Sequence, residues 1–154
     1  MFSFFSKKEI KPATNIEEKT AAYFRDGYVC SEAILKSMIE EYEPEASPGM
    51  TSMASGFGRG IQSGDICGIV AGAVMAIGYL TGRKDNTQNN KTADKLSKEF
   101  RKAFLKEYGD TNCGVLLKGF GKQKEWDKCR DMTGRSAGIL LELLYQHGIK
   151  PVTK

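Results

Sequence analysis

The feature that most constrains the fold is a run of small and apolar residues between residues 63 and 82, SGDICGIVAGAVMAIGYLTG. Asp65 is a natural N-cap and Gly82 a natural stop, so the run predicts a helix from Ile66 to about Leu80. This helix is shorter than the ~20 apolar residues that a bilayer span requires, so no membrane span is expected. Because it is apolar on every side, we expect a central helix that the rest of the protein covers.

Small residues recur at four-residue spacing along this helix, at Gly68, Gly72 and Ala76. Such a stripe lets a second backbone approach closely, either within the fold or between two copies of the chain. The length of the helix favours tight internal packing or a dimer in water over association in a membrane. The stripe and the aromatic sequence MFSFF at residues 1–5 make a homodimer a further expectation.

Apolar residues follow a helical period along the rest of the chain, and no strand pattern is present. Asn15 and Glu18 are spaced as a capping box for a first helix, which Gly27 ends. The glycine-rich sequence GFGRGIQSG, residues 56–64, is expected to be a flexible loop, and Trp126 is expected in the core. Further helical stripes cover residues 34–42, 96–108, 115–120 and 139–147, with short helical turns at 50–55 and around Cys129. We therefore predict an all-α, single-domain bundle of about six helices with the apolar Gly/Ala-rich helix at its centre.

Length and charge set the class of protein. The 154 residues are enough for one domain, which we place at residues 15–150, after a flexible N-terminal segment at residues 1–14. Hydrophobic residues make up 40% and charged residues 27% of the chain, which is typical of a globular protein. The net charge is +4 and Lys and Arg are spread along the chain, so no nucleic-acid binding is expected.

The four cysteines are the residues most able to carry chemistry. The N-terminus has no export signal, so we expect a cytoplasmic protein whose thiols stay reduced and form no structural disulfides. The cysteines then either pack as small hydrophobic residues, bind a metal or carry out redox chemistry. No C-x-x-C pair is present, so their spacing indicates neither a thioredoxin-type motif nor a zinc ribbon.

Three of the cysteines fall at predicted helix starts. Cys67 takes the second position of its helix, Cys113 follows a polar cap in GDTNCG, and Cys30 lies at or beside the start of the second helix. Free N–H groups and the helix dipole stabilise a thiolate at such a position and lower its pKa. Cys129 has no such signal.

Glycines and the one histidine of the sequence also bear on a site. Gly64, Gly68 and Gly114 lie beside cysteines and would let the backbone approach a bound group closely. His147 lies in the last turn of the last helix, where an interaction with the helix dipole is expected rather than a role as a ligand or base. With no C-x-x-C-H sequence, a covalently attached haem is not expected.

Three segments, GYVCSEAIL, GFGRGIQSGDICGIVAGAVMAIGYLTGR and GDTNCGVLL, followed by a cysteine before an apolar last helix, resemble the C_GCAxxG_C_C family of redox-active proteins. The resemblance covers roughly residues 20–146. One departure is Ile69, where the family usually has alanine, and a larger side chain there would narrow a site that it packs against. The resemblance implies that the family's four signature cysteines are Cys30, Cys67, Cys113 and Cys129.

The leading hypothesis is a redox-active protein whose four cysteines form one site and bind an iron–sulfur cluster, for electron transfer to a partner protein. One alternative is a thiol–disulfide or sulfur-handling enzyme with Cys30 and Cys67 as its redox thiols. Another is a structural zinc protein or an interaction module. In the cluster and zinc versions the metal ligands are Cys30, Cys67, Cys113 and Cys129.

Overall fold

The computed structural model describes residues 15–152. The predicted flexible segment at residues 1–14, with the sequence MFSFF, lies outside the described residues. Within them the chain forms a single all-α domain without strands, which confirms the predicted fold class. Seven α-helices follow one another: α1 (Ile16–Arg25), α2 (Cys30–Tyr42), α3 (Gly49–Ser52), α4 (Gly68–Thr81), α5 (Lys91–Tyr108), α6 (Cys113–Phe120) and α7 (Asp127–Gln146).

The last helix is longer than its apolar pattern predicts. The helical turns around Cys129 and the stripe at residues 139–147 belong to one continuous helix, α7. Gly134 and Gly138 interrupt the apolar pattern because α1 passes over them. A Cβ atom on Gly134 would lie 2.7 Å from the backbone oxygen of Glu17. The two glycines therefore serve close helix packing and do not end the helix.

The core lies where α7 packs against α1, α2, α4 and α5. Its largest fully buried side chains include Phe100 and Phe104 from α5 and Leu140 and Leu144 from α7. Full burial of such a side chain contributes about 1.5–3 kcal/mol. These residues occupy the predicted stripes, so the helical period identified the core correctly.

The Gly/Ala-rich helix α4 packs closely against α2. A Cβ atom on Gly72 would lie 2.5 Å from the backbone oxygen of Ser31, so glycine is required for this approach. The small-residue stripe thus serves packing within the fold. The expectation that the helix is covered on every side is wrong from its middle onward, where Val74 is 36% and Tyr79 41% exposed. No helix within residues 15–152 combines the length and the apolar character needed to cross a membrane.

The glycine-rich connection before α4 is a series of tight turns. A 3-10 turn covers Ser55–Phe57, and a wider turn over Gly60–Gly64 is closed by a 2.9 Å hydrogen bond from the Asp65 N–H to the Gly60 oxygen. The non-glycine residues Arg59, Ile61 and Gln62 adopt left-handed backbone angles there. The predicted loop is thus a series of defined turns with an energetically costly backbone, and its flexibility stays a prediction.

Candidate functional site

All four cysteines line one cavity of about 240 Å³. They are free thiols, and each comes from the start of a different helix. Most of the remaining wall is apolar, with Ile69, Leu116, Leu117 and Met132 among its side chains. The fold therefore brings together residues that lie far apart in sequence, although their roles as ligands or redox groups stay predictions.

Cys30 is the first residue of α2, within the predicted start of that helix. The Glu32 carboxylate accepts a 3.0 Å hydrogen bond from the Val29 N–H, one residue before Cys30, and a 2.6 Å hydrogen bond from the Ser55 hydroxyl. Because Val29 has no polar side chain to cap the helix, Glu32 satisfies this N–H instead. The carboxylate thus holds the turn that presents the Cys30 thiol.

Cys67 and Cys113 are held side by side by a single antiparallel β-bridge between Ile66 and Asn112. The Cys67 N–H donates to the Thr111 oxygen at 2.7 Å, and the Cys113 N–H donates to the Asp65 oxygen at 2.6 Å. Two cysteines that are 46 residues apart in sequence are thereby tied together through their own backbones.

The bridge also explains a correction. Asp65 is not the N-cap of the Gly/Ala-rich helix, because its backbone is engaged in the bridge and the helix begins later, at Gly68. Cys67 itself occupies the N-cap position. In α6, by contrast, a polar cap was predicted at Thr111 or Asn112, and the structure shows that it is Asn112, whose side chain accepts a 2.9 Å hydrogen bond from the Val115 N–H.

Cys129 also lies in the first turn of a helix, α7, where helical turns but no helix start were predicted. The Gln123 amide contacts it twice: its oxygen accepts from the Cys129 N–H at 2.9 Å and its nitrogen donates to the sulfur at 3.3 Å. The acidic residue Asp127, typical of a first helical turn, was an available signal for this helix start. The contact with Gln123 could not be read from the sequence, because it depends on the conformation of the loop.

Backbone N–H groups contact the two most buried sulfurs. Those of Ser31 and Arg59 donate to Cys30, and those of Ile69 and Val70 donate to Cys67. Burial nevertheless raises the pKa of Cys30 to about 11 and, together with the Cys30 charge, that of Cys67 to about 12. The expected lowering of the thiol pKa is therefore wrong for the free thiols, because loss of hydration outweighs the helix-start N–H groups.

Burial also raises the pKa of the Cys113 and Cys129 thiols. The negative charge of Cys129 adds to the effect on Cys113, while the Gln123 hydrogen bond opposes it at Cys129. All four sulfurs thus favour the neutral thiol in the free protein. A bound cation would reverse this preference, since a metal replaces the thiol proton and balances the thiolate charge.

Two left-handed segments meet at the cavity. Arg59 (φ 52°) and Trp126 (φ 59°) both line it, and the Arg59 guanidinium carbon lies 5.0 Å from the centre of the Trp126 ring. Trp126 is 41% exposed, so its predicted place in the core is wrong. Each left-handed non-glycine residue costs about 1–3 kcal/mol, and such strain is often concentrated at functional sites.

The glycines predicted to lie near the site have different positions. Gly68 lines the cavity, and a Cβ atom there would lie 2.6 Å from the Cys30 sulfur. Gly64 and Gly114 contact each other beside Cys113 and do not line the cavity. Their role in binding a cofactor stays a prediction.

The departure from the family pattern, Ile69, packs against the site. Its buried side chain lines the cavity, where it takes up space that alanine would leave open. His147 lies elsewhere, at the end of α7, where its Nε2 atom is 2.8 Å from a Glu99 carboxylate oxygen. The structure therefore does not bring the histidine to the thiols.

Within residues 15–152, no three His, Cys, Asp or Glu side chains stand close enough together to hold a metal ion. Binding of a metal group in the cavity would therefore require the thiols to rotate or draw inward. The cavity volume and the N–H groups directed at sulfur are features that such a group would fit.

Comparison with known proteins identifies the family. A family model described as "Putative redox-active protein (C_GCAxxG_C_C)" matches residues 28–143, a range that includes all four cysteines. No curated protein and no solved structure gives a match. Since the model covers most of the chain and every cavity thiol, this protein belongs to the C_GCAxxG_C_C family of redox-active proteins.

Proposed function

We propose that Cys30, Cys67, Cys113 and Cys129 bind one iron–sulfur cluster and that the protein transfers electrons. The observation that carries the proposal is the convergence of four thiols from four helix starts on one largely apolar cavity. Four cysteine thiolates are the usual ligands of [2Fe–2S] and [4Fe–4S] clusters. When bound, such a cluster would supply one-electron redox chemistry.

The surroundings of the thiols support this choice. N–H groups that donate to ligand sulfurs, as those of Ile69 and Val70 do to Cys67, stabilise the negative charge of a cluster and raise its reduction potential. The wall of the site is largely apolar, and the exposed Trp126 leaves one side near the surface. A cavity of about 240 Å³ also offers more room than one zinc ion would fill.

Anaerobic purification followed by an absorption spectrum and iron and sulfide analysis tests the proposal. We expect a brown protein with absorption near ~400 nm. Cys67→Ser should remove this absorption, while Ala73→Ser should retain it. The second variant is a matched control, because Ala73 is also buried in the early part of α4 but does not line the cavity. A colourless wild-type protein that contains zinc, or no metal, would refute the cluster.

The second candidate is a thiol–disulfide enzyme that uses Cys30 and Cys67. It is favoured by their proximity, since the Cys30 sulfur packs against Gly68, the residue that follows Cys67, and the two thiol charges interact. The two thiols would reduce a disulfide substrate by forming a Cys30–Cys67 disulfide and giving up two electrons and two protons. Their raised pKa values count against it, because the thiolate is the nucleophile. Alkylation of Cys30 or Cys67 within seconds at pH 7 in metal-free protein would favour it over the cluster.

A further inference from the structure

The outer face of one cavity wall is basic. Residues 113–130 contain five basic and two acidic residues, whereas the net charge of the whole chain is only +4. Five basic less two acidic residues give this segment a net charge of +3. The exposed lysines of this segment, here called the basic rim, are Lys118, Lys122, Lys124 and Lys128.

The same segment carries part of the thiol site. Its inward-facing residues include Cys113, Trp126 and Cys129, all of which line the cavity. The basic rim therefore lies on the solvent side of the wall that holds two of the four thiols. One of its members is tied to the wall, since the Lys128 Nζ atom donates a 2.6 Å hydrogen bond to the Phe120 oxygen at the end of α6.

Apolar side chains of the same segment are also exposed. Val115 is 52% exposed on α6, and Trp126 reaches from the cavity to the surface. The Arg59 guanidinium, stacked on the Trp126 ring, adds a further positive charge at this point. These exposed aromatic and aliphatic side chains alternate in sequence with charged residues, and protein–protein interfaces combine an aromatic-rich core with a polar rim.

We propose that an acidic redox protein docks on this surface, with the basic rim around its carboxylates and Trp126 and Val115 at the centre of the contact. The proposal rests on the proposed function: one electron would leave the reduced centre of the partner and be accepted at the four-cysteine site. Opposite charges would speed the encounter and orient the partner toward the wall that contains Cys113 and Cys129. A small, charge-rich interface is typical of transient redox complexes.

Trp126 is the only tryptophan of the chain, so its fluorescence reports directly on this surface. Iodide should quench it more efficiently than caesium, because the basic rim attracts anions and repels cations. In the variant K118Q/K122Q/K124Q the ratio of iodide to caesium quenching should fall about five-fold at 0.1 M ionic strength. Lys128 is left unchanged because of its hydrogen bond to Phe120.

Docking itself is tested with poly-glutamate as the acidic polypeptide and acrylamide as a neutral quencher. Poly-glutamate should protect Trp126 from acrylamide, and the concentration required should rise about ten-fold in the triple variant. The control variant K95Q/K98Q/K102Q removes the same charge from exposed positions on α5, which does not line the cavity, and should behave as wild type.

The proposal would be overturned if poly-glutamate gave Trp126 no protection from acrylamide. It would also be overturned if the control variant needed the same increase in poly-glutamate concentration as the triple variant. Stronger protection by single-stranded DNA at the same concentration of negative charge would also overturn it, in favour of a nucleic-acid partner. The readout requires no metal in the site. Failure of the iron–sulfur proposal would therefore leave this result interpretable, and a positive result here would not by itself establish a cluster.

Discussion

The helical core and the cysteine region of this protein are built from different kinds of structure. In the core, long helices meet along regular apolar faces that bury Phe100, Phe104 and Leu140 completely. In the cysteine region, helix starts converge through one β-bridge and through turns that contain left-handed residues such as Arg59 and Trp126. Burial of apolar side chains stabilises the core, whereas the strained backbone of the cysteine region lowers the stability of the fold while it holds four thiols around one cavity.

The largest effect is expected from a change confined to the core. Phe100→Ala removes a fully buried ring and should lower the free energy of unfolding by about 3–5 kcal/mol in a urea titration. Phe100→Leu fills most of the space and should recover more than half of the loss. A loss below about 1 kcal/mol for Phe100→Ala would contradict a tightly packed core around this ring. It would mean that the neighbouring side chains collapse into the space that the ring leaves.

A smaller loss is expected where the core meets the cysteine region. Gly72→Ala places a Cβ atom 2.5 Å from the Ser31 oxygen, so α2 and α4 must separate at a cost of about 1–3 kcal/mol. Gly78→Ala is the matched control on the same helix. No atom lies within 4 Å of its added Cβ, so it should stabilise the protein by about 0.5–1 kcal/mol. Equal changes in melting temperature for the two variants would show that the close approach of α4 to α2 at Gly72 does not affect stability.

Two helix caps allow the effect of a cap on overall stability to be distinguished from its effect on the thiol site. Asn112 caps α6 beside Cys113, and Asn15 caps α1 in the same manner away from the thiols. Each Asn→Ala change should cost about 1 kcal/mol in thermal or urea unfolding. Only Asn112→Ala should also change the rate at which Cys113 is alkylated by iodoacetamide. If Asn15→Ala altered that rate to the same extent, the cap would act through overall stability alone.

The smallest expected effect has the opposite sign. Ile61 holds a left-handed conformation (φ 57°) and is 46% exposed, so Ile61→Gly relieves strain and loses little packing. We expect a gain of about 1 kcal/mol in the free energy of unfolding. Ile66→Gly, at a nearby position without left-handed angles, should instead be destabilising by a similar amount. Destabilisation by both changes would refute the strain at residue 61.

Local patterns predicted much of the molecule because helix signals are local. The cap of α1 at Asn15, the start of α2 at Cys30 and the polar cap of α6 all depend on residues within one or two turns. Errors arose where distant segments intervene. Asp65 does not cap α4, because its backbone is hydrogen-bonded in the bridge to residues 111–113. In α7, glycines lie inside the helix because α1 packs over them.

The sequence by itself determined that the protein is a helical domain of the C_GCAxxG_C_C family with four cysteines and no histidine near them in sequence. Only the tertiary structure decided that the four thiols share a cavity, that burial raises their pKa and that Trp126, which lines this cavity, is exposed to solvent. Helix formation depends on neighbours along the chain, whereas burial and electrostatic environment depend on which segments meet in space. The same reason explains why the lysines of residues 118–128, which are neighbours in sequence, could be placed on the outer wall of the thiol site only after folding.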